Sequence, residues 1–430
     1  MATLGLGVFA GALDLGVLSP ALPALGAAFG VGPRALAWVF TLYLLANVVA
    51  IPITAQLADR VGRRPIYIAC VAIFAAGSAL AITAPTYAVF LLARAIQATG
   101  AGGIFPVATA AIADRVPLER RGSALGLVGA TWGLAAILGP LFGGIVTHVL
   151  SWHWIFAANI PLALVVIGLA RRYVPAPAPH TRGPLDAAGI GCLALGLLAT
   201  MIGLIGLDAR AFVPAAVFFA ALAWIERRAA NPLISPELLR NRQVLVVFGL
   251  EVAIGTLEGV LFFVPAALVA AQRMTSAAAG GLAAVGALTF VATIPLAGRA
   301  IDAFGARAVL AVGAATCGAG LALFASFLES LGGVVAALIV AGIGFGALLG
   351  PPTRYVITRE VPQTNRTTAL GLLSILLIAG QIVGSSLAGG VIGSLAGAAG
   401  FVRAFYTFAA VAFAAAGAAT ALQDPPRRVR

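Results

Sequence analysis

The chain reads as a succession of apolar runs, each long enough, at about 17 to 25 residues, to cross the hydrocarbon core of a bilayer as a helix. Fourteen such runs fall near 4–28, 36–57, 66–84, 86–112, 122–147, 154–171, 186–207, 211–226, 243–270, 275–298, 308–326, 332–353, 366–395 and 402–422. Inside lipid every backbone N–H and C=O must find a partner within the protein, and a helix satisfies them all within one segment. The expectation is an all-α integral membrane protein with fourteen transmembrane helices. Composition agrees: 61% of residues are hydrophobic and 9% charged, against about 25% charged in an ordinary soluble domain. The first run has no basic leader and no cleavage-site pattern, so it is read as a retained helix. The run at 211–226 is the shortest.

Orientation follows from the arginines, since cytoplasmic loops collect basic residues. Of the 26 basic residues, none of them Lys, only Arg34, Arg210, Arg273 and Arg403 fall in the loops on one side, and Arg94 lies within a run. All the others fall on the opposite side, which places both termini in the cytoplasm of a plasma (inner) membrane. The net charge of +12 is thus a signature of membrane orientation, and no nucleic-acid partner is expected.

One polar break returns. "TAQLADRVGRRP" at 54–65 has a fainter copy, "AGRAIDAFGAR", at 297–307. Asp59 and Asp302 are 243 residues apart, and a shift of 243 overlays runs one to six on runs nine to fourteen. Other pairs agree: "DRVP" at 114–117 with "REVP" at 359–362, and "GPLFGG" at 139–144 with "GSSLAGG" at 384–390. The chain is therefore read as two pseudo-symmetric six-helix bundles, residues 1–172 and 243–424, with linkers and two inserted helices at 173–242 and a cytoplasmic tail at 425–430. Two repeats around a central path are an architecture of secondary transporters.

The motifs carry a family resemblance over essentially the whole length. "AQLADRVGRR" resembles the signature between helices two and three of the major facilitator superfamily, with Ala55 where Gly is usual. "RAIQATGAGG", from Arg94, resembles the fourth-helix signature Arg-x-x-Gln-Gly-x-Gly, with Ala98 at its first Gly. "GPLFGG", with Gly139, Pro140, Gly143 and Gly144, resembles the fifth-helix antiporter signature; "WHWIFAANIP" resembles the opening of helix six. "LDLGVLSPALP" resembles the first-helix signature of the fourteen-helix drug/proton antiporter branch, with Gly16 where Thr is common and Ser19 where Asn is. The resemblance implies the major facilitator fold and gives Asp59, Arg60, Gly62, Arg63 and Arg64, with Gly298, Asp302, Gly305 and Arg307 in the second repeat, the role of a conformational latch. In the family's arrangement Asp59 faces the start of span thirteen, near Arg366 and Thr367, and Asp302 the start of span five, near Gly122. The arginines alone would satisfy the positive-inside bias; the paired aspartates call for more. Small residues three or four apart in span five allow close helix approach, and Pro140 permits a kink.

Of the 14 acids, only Asp14, Glu251 and Glu258 fall well inside runs. A mid-bilayer charge costs about 2.5 to 3.5 kcal/mol on insertion scales, so each is a functional candidate. At about 1.5 Å of rise per residue, Asp14 and Arg94 lie within a few ångströms of each other in depth, which suggests an ion pair. Glu251 and Glu258 are seven residues, two turns, apart on one face of span nine. Glu258 is close to the repeat partner of Asp14, and no basic residue shares its span beyond the first turn. These three acids are the proton-coupling candidates; Asp14, Arg94, Gln97, Tyr43 and Trp132 are the substrate-cavity candidates. His148 and His153 mark one rim, Cys70, Cys192 and Cys317 are packing residues, and no metal or cofactor is expected.

The chain lacks the Lys that a phosphate-cradling P-loop requires, and no nucleophile–base set is evident, so an enzyme is not expected. The leading expectation is a proton-coupled antiporter, a monomer in the lipid bilayer, exporting lipophilic or cationic drug-like small molecules by alternating access. The alternatives are an exporter of one endogenous metabolite, such as a siderophore or amino acid, and a non-transporting sensor or scaffold with the same fold.

Overall fold

The computed structural model describes residues 2–113, 118–174, 187–228, 238–349, 351–363 and 366–423, with the side chains of 2, 113, 118–129, 239 and 367 outside the described set. The "DRVP" segment, much of the linker after span six and the tail at 425–430 fall outside it, as do the side chains of the anticipated latch partners Gly122 and Thr367.

Among the described residues the chain is helical without strands. In order the helices are α1 (Ala2–Leu18), α2 (Leu22–Phe29), α3 (Pro33–Leu36), α4 (Trp38–Val61), α5 (Arg63–Ile82), α6 (Tyr87–Ala113), α7 (Leu118–Val149), α8 (His153–Tyr173) and α9 (Ala187–Gly206). There follow α10 (Phe212–Glu226), α11 (Arg242–Leu261), α12 (Val264–Gln272), α13 (Ser276–Phe304), α14 (Ala306–Ser326), α15 (Leu331–Leu348), α16 (Pro352–Glu360), α17 (Arg366–Ile392) and α18 (Ala398–Ala419). Fourteen stretches of the described residues are long and apolar enough to cross a membrane. Among the broken ones are α1 with α2, α11 with α12 and α15 with α16. The causes lie in the sequence. Pro20 and Pro23 follow the first break, Pro265 the second, and Pro351 with Pro352 the third; each removes an N–H and crowds the preceding turn. The breaks after α1 and α11 occupy matching places in the two repeats.

The duplicated polar break has the same backbone both times. Gly62 ends α4 with φ 105° and Gly305 ends α13 with φ 86°, and each donates its N–H back to the residue four before it, Ala58 O at 3.0 Å and Ile301 O at 2.8 Å. Side chains rarely adopt such positive φ, so glycine is required at both corners. Asp302 therefore lies in the last turn of α13, which runs six residues past the end at 298 expected from sequence.

Contacts divide the chain into two compact units, Met1–Leu198 with Met274–Ala284, and Ala199–Arg273 with Val285–Arg430. In the first, α1 packs on α7 along a seam of small residues: a methyl at Gly143 would stand 2.0 Å from Val17 O, and one at Gly139 2.9 Å from Gly16 Cα. The adjoining face of the same stretch of α7 receives the start of α13, where a methyl at Gly280 would stand 2.2 Å from Pro140 O. The core of this unit includes Leu4, Val8, Tyr67, Cys70, Phe74 and Ile104, with the Tyr67 hydroxyl donating to the carbonyls of Thr3 and Leu4 at 3.2 and 3.3 Å. In the second unit α11 lies as close to α17: methyls at Gly255 and Gly384 would stand 2.1 Å from Leu377 O and 2.0 Å from Thr256 O. Helix α14 packs on α18 through Phe324 and Phe405, ring centroids 4.5 Å apart. Large apolar side chains of α10, Val213, Val217 and Trp224, are exposed, as suits a surface covered by lipid.

Candidate functional site

The first unit buries a complete polar cluster among apolar helices. Arg94, fully buried on α6, donates from Nη1 to Asp14 Oδ2 of α1 at 2.5 Å and to Gln97 Oε1 one turn along its own helix. Gln97 Nε2 donates to Asp14 Oδ1 at 2.7 Å and to Ser78 Oγ of α5 at 2.9 Å. Asn159 Nδ2 of α8 reaches the same two acceptors, at 3.2 and 3.3 Å. Ser78 in turn donates to Phe74 O at 3.0 Å. The Asp14 carboxylate thus accepts from three side chains, one of them cationic. An aromatic face completes the enclosure: the guanidinium carbon lies 4.2 Å from the Tyr43 ring centroid and 5.9 Å from that of Phe156, distances at which a cation and a ring attract. Arg94 Nε and Nη2 and the Tyr43 hydroxyl are buried with no hydrogen-bond partner among the described residues.

The second unit holds a sparser arrangement on α11. Glu251 is 5% exposed, with the Thr353 hydroxyl within reach and the Arg354 charge acting on it. Two turns on, Glu258 is half-buried and its Oε2 accepts from Gln381 Nε2 of α17 at 2.8 Å. The asymmetry is chemical: Asp14 is held by a cation and two amides, Glu258 by one amide.

The structure brings Asp14, Arg94, Gln97 and Tyr43 together. Trp132, 37% exposed on α7, joins the cluster through no described contact. At the α4–α5 corner Arg63 lies 3.8 Å from Asp59, with Arg60 exposed and Arg64 half-buried beside them; Asp302 and Arg307 are exposed at the α13–α14 corner, and Gly298 lies under Pro351. Among the described residues no group of three or more His, Cys, Asp or Glu could hold a metal ion.

Ser78, Asn159 and Gln381 were not singled out from sequence, although a signal was present. Asn159 is the one carboxamide of the apolar run 154–171, as Gln381 is of 366–395, and a carboxamide in lipid-depth helix is costly without a partner. Scanning the runs for amides as well as charges would have found both.

Fourteen apolar helices with polar clusters buried in their interior define a class, the multi-pass membrane proteins whose intramembrane charges face one another rather than lipid. The family model of the Major Facilitator Superfamily matches residues 4–270 and 216–430, and the chain belongs to that superfamily. It is 34% identical over 422 residues to the uncharacterized MFS-type transporter YfiU of Bacillus subtilis, covering 90% of this chain and 78% of the relative. To multidrug resistance protein 3 of the same organism it is 33% identical over 251 residues, 55% of this chain and 48% of the relative. Its fold is similar to the crystal structure of a D-xylose-proton symporter, with a TM-score of 0.71 at 17% identity over 96% of this chain and 95% of the other.

Proposed function

We infer that the chain is a proton-coupled antiporter that exports lipophilic or cationic drug-like small molecules by alternating access across the plasma membrane, with both termini cytoplasmic and the monomer as working unit. The observation that carries this reading is the contrast between the acid sites of α1 and α11. Asp14, fixed by Arg94, Gln97 and Asn159, supplies a preorganised charge pair; the remaining N–H groups of Arg94 and the Tyr43 hydroxyl, unpartnered in the same cluster, are donors for a substrate's oxygen or nitrogen acceptors. Glu258, with a single neutral partner, carries the larger share of proton exchange, and Glu251 shares its helix face. Trp132, 37% exposed on α7, is the further cavity candidate of this reading.

The remaining motifs take supporting roles in this reading. Asp59, Arg60, Gly62, Arg63 and Arg64, with Gly298, Asp302, Gly305 and Arg307, latch the cytoplasmic side between transport states. Gly139, Pro140, Gly143 and Gly144 give α7 the close approach and local weakness it needs to bend. Functionally the bundles are 1–172 and 243–424, with 173–242 an accessory insert. A relative named multidrug resistance protein 3 supports the substrate class.

The experiment is uptake into proteoliposomes under an imposed pH gradient, with a panel of lipophilic cations and neutral lipophiles. Gradient-driven accumulation of several unrelated members supports the reading; accumulation of none, or of a single member only, overturns the substrate class.

A further inference from the structure

We propose that Gln381 is the positioning residue that allows Glu258 to take up and release its proton, by turning its carboxamide to match either state of the acid. This rests on the reading of Glu258 as proton carrier. A carboxylate needs donors, whereas a protonated carboxyl also needs an acceptor for its own O–H; of the side chains that hold the two acids, a carboxamide alone can meet both needs, since arginine only donates. Around Asp14 the carboxamide nearest the cation is committed. Gln97 gives its oxygen to Arg94 and its nitrogen to Asp14 and Ser78, so turning it over would set its NH2 against a guanidinium. Gln381 has no such commitment: Nε2 donates to Glu258 Oε2 at 2.8 Å, and its Oε1 has no partner among the described residues.

The surroundings hold Gln381 in register and leave its terminal amide free. Its helix cannot slide on α11, because Gly255 and Gly384 place backbone against backbone, and its own carbonyl accepts from Ser385 Oγ at 2.6 Å. The residue as a whole is 5% exposed. Terminal amide torsions are broad and roughly two-fold, so half a turn about the last bond presents Oε1 to Glu258 without moving the main chain. The step is simple to balance: Glu258 carboxylate gains one proton from the aqueous side then open to it, donates that O–H to Gln381 Oε1, and on reopening to the other side loses it, whereupon Nε2 returns. The charged residues on the elements packed against α11 are Arg240 of the turn at 238–240, Arg354, Arg359 and Glu360 of α16, Arg366 of α17 and Arg403 of α18; Arg354 acts on Glu251, and Glu251 is the charged neighbour of Glu258.

The test uses the full chain in proteoliposomes with ethidium, a lipophilic cation, as probe. Gln381→Met keeps length and removes both hydrogen-bonding functions; Gln381→Leu does the same if methionine prevents insertion. The expected result is that ethidium binding and ethidium–ethidium counterflow, which need no net proton turnover, persist, while accumulation driven by a pH gradient falls by about tenfold or more, the scale of one hydrogen bond to an ionised group. Gradient-driven accumulation at the unmodified rate overturns the proposal, and so does a parallel loss of binding, counterflow and accumulation, which is what a packing role gives. Glu258→Gln on the same vesicles separates the two levels. If it keeps gradient-driven accumulation, Glu258 is not the carrier and both ideas fall; if it loses accumulation while Gln381→Met does not, only the role of Gln381 falls.

Discussion

Replacing Asp14 by leucine strands a cation. The Arg94 side chain has no solvent exposure and, among the described residues, its counter-charge is the Asp14 carboxylate at 2.5 Å; without it the guanidinium keeps the Gln97 oxygen and the Tyr43 and Phe156 rings, none of them charged. Gln97 and Asn159 lose an acceptor as well, though both retain Ser78. Removing one member of a buried pair costs about 3 to 5 kcal/mol, chiefly because the survivor is left charged in a dry interior. Replacing both, Asp14→Leu with Arg94→Met, removes that charge, so most of the loss should return. The assay is thermal unfolding of purified protein in detergent. The single variant should lower Tm by about 3 to 10 °C, depending on whether the whole chain or one unit unfolds cooperatively, and the double variant should recover at least half of that. A single variant with unchanged Tm, or a double variant as unstable as the single one, refutes the argument that the pair is buried and mutually dependent.

Three further outcomes follow from particular positions. Gly143→Ala places a methyl 2.0 Å from Val17 O and must push α1 from α7, so Tm should fall by the equivalent of about 1 to 3 kcal/mol; an unchanged Tm would mean the seam is looser than described. Gly62→Ala and Gly305→Ala force a side chain to φ 105° and 86°, at about 1 to 3 kcal/mol each, and equal losses at both corners in the same unfolding assay would show that the duplicated break has one structural job. Asp59→Asn should reach the membrane in normal amount yet transport more slowly; full transport at normal abundance removes the latch.

Much of this was legible in the chain because lipid imposes rules of length and polarity that few sequences can satisfy in more than one way. The fourteen apolar runs and the offset of 243 between Asp59 and Asp302 needed no tertiary information, and the matched φ of Gly62 and Gly305 is that same offset expressed in backbone geometry. Asp14 and Arg94 could be set at one depth by counting helical rise from opposite membrane faces. What counting could not supply is rotation about the helix axis. That angle decides that Asn159 and Ser78 turn toward Asp14, that Trp132 does not join them, and that Gln381 of α17 faces Glu258. The helix breaks were also missed, since Pro20, Pro23 and Pro265 lie within runs whose hydropathy is continuous. Nor does a repeat reveal that the first turns of α13 pack on α7, because an internal copy records ancestry and not which surfaces meet.

The central claim is that substrate export is exchanged for protons at Glu258, and the most direct measurement is substrate-driven proton movement. Proteoliposomes loaded with a pH-sensitive dye receive an ethidium gradient with no imposed pH difference, and internal pH is followed for the unmodified protein and for Glu258→Gln. The account predicts that ethidium flux drives protons the opposite way in the unmodified protein, and that Glu258→Gln binds ethidium but moves no protons with it. Ethidium flux without proton movement in the unmodified protein, or undiminished proton movement in Glu258→Gln, would contradict it.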